Sequence, residues 1–126
     1  MSRPTVAILG ASTSRAKYGN RAVRAFALRG WEVFPIHPCA TAVEGLKAFA
    51  SLRDVPVAEL DRISVYLPPA VSLRLLDDLA HRPAREIWLN PGADSPELVA
   101  QARQRGLNVV LGCSILDIGV DPHGLD

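Results

Sequence analysis

The sequence predicts an α/β domain of the Rossmann-like, three-layer kind, built on a mostly parallel sheet of about five strands. Three observations lead there. Short apolar runs recur along the chain, each ends in a turn of Gly, Pro or small polar residues, and stretches with helical apolar spacing follow most of them. The 126 residues suit one unit with a real core, and 48% hydrophobic against 21% charged residues argues for a globular chain rather than a disordered one.

Thr5 to Leu9 is β-branched and apolar, as a strand covered on both faces requires. From about Gly19 the spacing changes, and Val23, Phe26, Ala27 and Gly30 fall on one helical face, with Gly30 suited to a C-terminal stop. Trp31 to Ile36 is the second strand, Ile63 to Leu67 the third, and Pro68-Pro69 ends it before Val71, Leu75, Leu76 and Leu79 resume helical spacing. Glu86 to Asn90 reads as the fourth strand. The clearest helix follows, with Ser95 as N-cap, Pro96 at its first position, Glu97 near its positive end and Gly106 after it. Asn108 to Leu111 makes the fifth strand. Between Cys39 and Asp61, Gly45 and Pro56 break any long helix, so an irregular crossover is expected, with Ser51 capping a short turn that ends near Val55. The tail after about Ile118 is expected to be peripheral.

Charge and composition exclude several functions. A formal charge of +1 provides no field for a nucleic-acid backbone. Arg21, Arg24, Arg29, Arg74, Arg82, Arg85, Arg103 and Arg105 are scattered and read mostly as solvated faces. No apolar run approaches the roughly 20 residues that span a bilayer, so no membrane role and a cytoplasmic location are expected. Cys39 and Cys113 are too few and too far apart for a zinc motif and are read as free thiols.

In a parallel α/β sheet, ligands bind beyond the carboxyl ends of the strands, where the strand order switches. That selects Gly10 to Gly19, His37 to Ala40, Leu67 to Pro69, Asn90 to Gly92, and Cys113-Ser114. In the first turn Gly10 permits tight turning, and Ala11, Ser12, Thr13 and Ser14 allow phosphate oxygens to approach a helix N-terminus, with Arg15 or Lys17 adding charge. The same turn also suits a plain strand-to-helix connection. It completes neither G-x-G-x-x-G nor G-x-x-x-x-G-K-[ST], which argues against ATPase chemistry. His37-Pro38-Cys39 stands where a nicotinamide-binding domain usually carries Asp or Glu.

With "VAILGAS", "WEVFPIHP", "VYLPP" and "EIWLNPGA" on these turns, and "VEGLKAFASLRDVP" in the crossover, the chain resembles the small stand-alone CoA-binding proteins. These are related to the N-terminal CoA-binding domain of the succinyl-CoA synthetase α subunit. The resemblance covers roughly Pro4 to Leu116. It implies CoA or an acyl-CoA as ligand, with Gly10, Ala11 and Ser12 on the diphosphate turn and Ser14, Lys17 and Tyr18 in its extension. It further implies Ile36, His37 and Pro38 on the adenosine side, Leu67 and Pro68 after the third strand, and Asn90, Pro91 and Gly92 along the pantetheine arm. His37 stands where the family commonly has Asn or Thr. Where the synthetase carries a basic residue after the second-strand proline, this chain has Cys39-Ala40-Thr41, leaving Lys17, Lys47 or a nearby Arg to compensate.

No catalytic set emerges. His37, His81 and His123 lack ligand spacing, Asp77 and Asp78 point apart on a helix, and Ser12 and Ser14 lie in no nucleophile elbow. No metal is expected. Cys113 fits packing better than thiol chemistry, although a mixed disulfide of Cys39 or Cys113 with CoA is a lesser alternative. The leading expectation is a CoA or acyl-CoA binder without its own catalytic apparatus, acting as carrier, sensor or interaction module. The alternatives are a small CoA-dependent transferase or enzyme subunit completed by a partner, and an NAD-type nucleotide-binding domain.

Overall fold

The computed structural model describes residues 3–125. Five strands, β1 (Thr5–Leu9), β2 (Glu32–Ile36), β5 (Leu60–Val65), β6 (Ala84–Leu89) and β7 (Val109–Leu111), form a sheet in the order β2-β1-β5-β6-β7 with every neighbour parallel. A two-stranded antiparallel hairpin, β3 (Ala42–Val43) and β4 (Leu46–Lys47), lies outside it. The helices are α1 (Tyr18–Leu28), α2 (Pro69–Arg74), α3 (Leu76–His81), α4 (Pro96–Gln104) and α5 (Ser114–Asp117). This is the expected Rossmann-like α/β fold. The chain leaves β1 toward β2 on one side and later returns to pair β5 on the other, so the order switches between β1 and β5.

Alternation along β1 divides the core. Val6 and Ile8 pack with Ala22, Val23, Phe26 and Ile115 of α1 and α5, whereas Ala7 and Leu9 pack with Leu76, Leu79, Leu98 and Ala102 of α3 and α4. Phe26 is fully buried and meets Trp31 edge-on at 4.9 Å between centroids. Burial of such a ring contributes about 2–3 kcal/mol. The helix expected after the fourth strand has the predicted ends: the Ser95 hydroxyl accepts the Leu98 N–H at 3.1 Å, and Pro96 opens the first turn.

β5 starts earlier than its apolar run suggests because its polar residues have partners. Asp61 accepts the Thr5 N–H at 2.8 Å, and Asp61 N–H donates to the Thr5 hydroxyl at 3.0 Å. Arg62, 7% exposed, lies 4.5 Å from the Trp88 ring centroid and pairs with Glu86 at 3.1 Å and Asp117 at 2.8 Å. A charged pair buried with its counter-charges is compatible with a strand interior. β6 likewise spans Ala84 to Leu89 and ends before Asn90, whose carbonyl already accepts the Ala93 N–H of the next turn.

The crossover is short pieces rather than a helix. The β3–β4 hairpin turns through Glu44 and Gly45, both at positive φ. Ser51 caps a 3-10 turn, Leu52–Asp54, by accepting the Arg53 N–H at 3.2 Å, and Val55 follows as its C-cap. On the way the chain passes along β2, where Phe49 N–H donates to the Pro35 carbonyl and His37 N–H to the Phe49 carbonyl, each at 2.9 Å.

Two expectations are corrected. The tail after Ile118 is not peripheral: Val120 and Pro122 are buried, and residues 122–124 form a 3-10 turn packed on α1. Several arginines read as solvated are its fastenings, with Arg29 donating to Gly119 O at 2.6 Å, Arg21 to Pro122 O at 2.9 Å and Arg24 to Leu125 O at 3.0 Å. Helical spacing places all three on α1, but sequence spacing carries no information about the carbonyls they meet. Arg82 similarly donates to the carbonyls of Val57 and Arg53.

Candidate functional site

The carboxyl ends of the parallel strands open into one cleft of about 1090 Å³. Its floor is the switch between β1 and β5, where Gly10, at φ 94°, leaves the sheet. A side chain at Gly10 would meet Leu67 and the Tyr66 carbonyl carbon at 3.1 Å, so the two turns touch across the switch point. Gly19 is tighter still. A Cβ there would lie 2.1 Å from the Gly10 carbonyl oxygen, which means that α1 seats its first turn directly on the β1 turn.

The resulting loop presents donors outward. Among the described residues, the amides of Ser12, Thr13, Tyr18 and Gly19 donate to no acceptor, as expected for a turn entering a helix. The Ser12 hydroxyl accepts the Ser14 N–H at 3.0 Å. Asn20, fully buried, fixes the loop from behind by donating to Ser12 O at 2.9 Å and to Glu44 of the hairpin at 3.1 Å, while its own oxygen accepts from Arg24 at 2.8 Å. Such a loop fits an anion.

On the β2 side, His37 Nδ1 accepts the backbone N–H groups of Cys39 and Ala40 at 3.0 and 2.9 Å. The imidazole therefore caps its own loop with an unprotonated Nδ1. An Asn or Thr at this position offers the same local acceptor, which accounts physically for histidine where the resembled family commonly carries those residues. On the β6 side, Asn90 is 3% exposed and fully engaged: Nδ2 donates to Ser64 Oγ at 3.0 Å and Val65 O at 2.9 Å, and Oδ1 accepts the Ser114 N–H at 2.8 Å. It joins β5, β6 and α5 and leaves no polar group of its side chain for a ligand.

The cleft gathers every residue singled out from the sequence except Ser14: Gly10, Ala11, Ser12, Lys17, Tyr18, Ile36, His37, Pro38, Leu67, Pro68, Asn90, Pro91 and Gly92. Lys47 lies elsewhere, with its ammonium over the Phe49 ring at 5.3 Å, whereas Lys17 is on the cleft. Sequence reasoning missed Gly19, Tyr66, Leu116 and the tail residues Asp121, Pro122 and His123, all of which line it. Gly19 was detectable as a glycine where a helix starts against a turn. The tail carried no comparable signal. Tyr66 has a buried hydroxyl without a partner among the described residues, and burial holds the phenol far above its ordinary pKa.

A family described as the CoA binding domain matches residues 4–118. The chain belongs to the CoA binding domain family. Solved structures place it within the same fold. It is 30% identical to a conserved hypothetical protein of Pyrococcus furiosus, covering 92% of this chain and 99% of that one with a TM-score of 0.81. It is 25% identical to a protein of Thermus thermophilus, covering 91% and 87% with a TM-score of 0.83. It also matches acetyl-coenzyme A synthetase 1 of Ca. Korarchaeum cryptofilum, solved with phosphate and ADP, at 26% identity and a TM-score of 0.72. That match covers 84% of this chain but 25% of the synthetase, so the CoA binding domain corresponds to one portion of the larger enzyme. Among the described residues, no helix of this CoA binding domain is long and apolar enough to cross a membrane.

Proposed function

We propose that the protein binds coenzyme A or an acyl-CoA in this cleft and serves as a carrier, sensor or interaction module without turning its ligand over unaided. The observation that carries the reading is the continuity of the cleft across the ends of the parallel strands. An elongated ligand with a charged middle and a long neutral arm matches that shape.

The free amides of the Gly10 loop and the ammonium of Lys17 suit the diphosphate, Ile36 to Pro38 suit the adenosine, and Leu67, Pro68, Pro91 and Gly92 line the path of the pantetheine arm. Asn90 shapes that path as a strut. The thiol or acyl end then lies toward Cys113 and Leu116. Two free cysteines, Cys39 and Cys113, suit the reducing cytoplasm as its compartment.

Calorimetry with CoA, acetyl-CoA, NAD and ATP tests the reading. Saturable heat with CoA or acetyl-CoA and none with NAD is expected. Clear NAD binding without CoA binding would overturn it, and turnover of acyl-CoA by the purified chain would replace the binding role with a transferase.

A further inference from the structure

The family match ends at residue 118, yet the cleft does not. Residues Asp121, Pro122 and His123 form part of its wall. This stretch is held as a strap: Arg21 and Arg29 of α1 donate to the carbonyls of Pro122 and Gly119, and Val120 N–H donates to Ile115 O at 3.2 Å. The strap is also shaped from within, since the Asp121 carboxylate accepts the His123 N–H at 2.9 Å.

Its position along the cleft follows from its neighbours. The His123 ring stands edge-on to Tyr18, 6.3 Å between centroids and 82° between planes, and Tyr18 opens the helix whose amides face the phosphate turn. At its other end the strap continues from α5, which carries Leu116 on the cleft. It therefore bounds the cleft between the phosphate turn and the end of β7.

We infer that residues 119–125 are a ligand-contacting strap, in which Pro122 and His123 bear on the junction between the diphosphate and the pantetheine arm. The inference rests on the coenzyme A reading above. Pro122 supplies an apolar surface to the neutral arm, and the His123 imidazole supplies an N–H donor to a phosphate or amide oxygen. A wall added after the ligand is seated slows its departure more than its arrival, so the effect belongs in the dissociation rate.

The test compares CoA binding by the full chain, a chain ended after Val120 and His123→Ala, using calorimetry for affinity and stopped-flow displacement for dissociation. Shortening is expected to weaken CoA about 10-fold, mostly through faster release, and His123→Ala about threefold. His123→Ala carries the test if the shortened chain fails to fold. Equal affinity and release in all three proteins would overturn the strap while leaving the coenzyme A reading intact. A full chain that binds no CoA would overturn the reading itself.

Discussion

Substituting Gly19→Ala adds a single methyl group where the fold has least room. The new Cβ would stand 2.1 Å from the Gly10 carbonyl oxygen, and reaching even 3.0 Å requires helix and turn to separate by about 0.9 Å. Gly10 has little freedom to retreat, because Leu67 and the Tyr66 backbone close in at 3.1 Å from its open side. Overpacking of this kind costs about 1–3 kcal/mol, and contact with backbone on both sides places it near the top of that span. Alanine returns roughly 0.5–1 kcal/mol as the better helix former. The expected net loss is roughly 2 kcal/mol, a fall in Tm of about 4–10 °C for a domain of this size. Separation also pulls the Tyr18 and Gly19 amides away from the Gly10 loop, so CoA affinity is expected to fall by about 10-fold, the worth of one charge-assisted hydrogen bond. Thermal or urea unfolding and calorimetry measure the two effects. A variant as stable as the parent, with unchanged affinity, would refute the tight seating of α1 on the β1 turn.

Other substitutions probe separate parts of the site. Asn90→Ala leaves the Ser114 N–H and Ser64 hydroxyl without their buried partner, and urea unfolding should show a loss of roughly 2–4 kcal/mol. Lys17→Glu reverses the charge beside the phosphate turn, so CoA binding should weaken more at low salt than at high salt; an unchanged affinity would remove Lys17 from the site. Tyr66→Phe removes a buried hydroxyl that lacks a partner, and its Tm should be unchanged or raised, by up to about 1 kcal/mol of stability. A marked loss there would reveal a hydrogen bond to that hydroxyl.

Much of this fold was written in short-range signals. β1 is an unbroken apolar run, and Ser95-Pro96 announces its helix through one hydroxyl and one ring. The same signals brought the turns of the cleft together, because strand ends and helix starts determine where a parallel sheet opens. What escaped detection depended on distant partners. Arg62 and Asp61 look like loop residues until Trp88, Glu86, Asp117 and Thr5 surround them. Arg21, Arg24 and Arg29 look solvated until the tail arrives some 90 to 101 residues later in the chain. The roles of Asn90 and His37 were legible only in outline: their positions on the cleft followed from the turns, but which of their atoms remained open did not.

The crossover after β2 also governs how this domain can meet its own copies. β2 is the outermost strand of the sheet, a place where a neighbouring chain can ordinarily add a strand of its own. Here Pro35 supplies no N–H, its carbonyl is already taken by Phe49, and the N–H of His37 is spent on Phe49 in turn. The opposite border, β7, is only three residues long. The sheet is thus closed to lengthening by strand exchange at both borders, a form of protection against fibrous self-association that leaves the ligand cleft at the strand ends unobstructed.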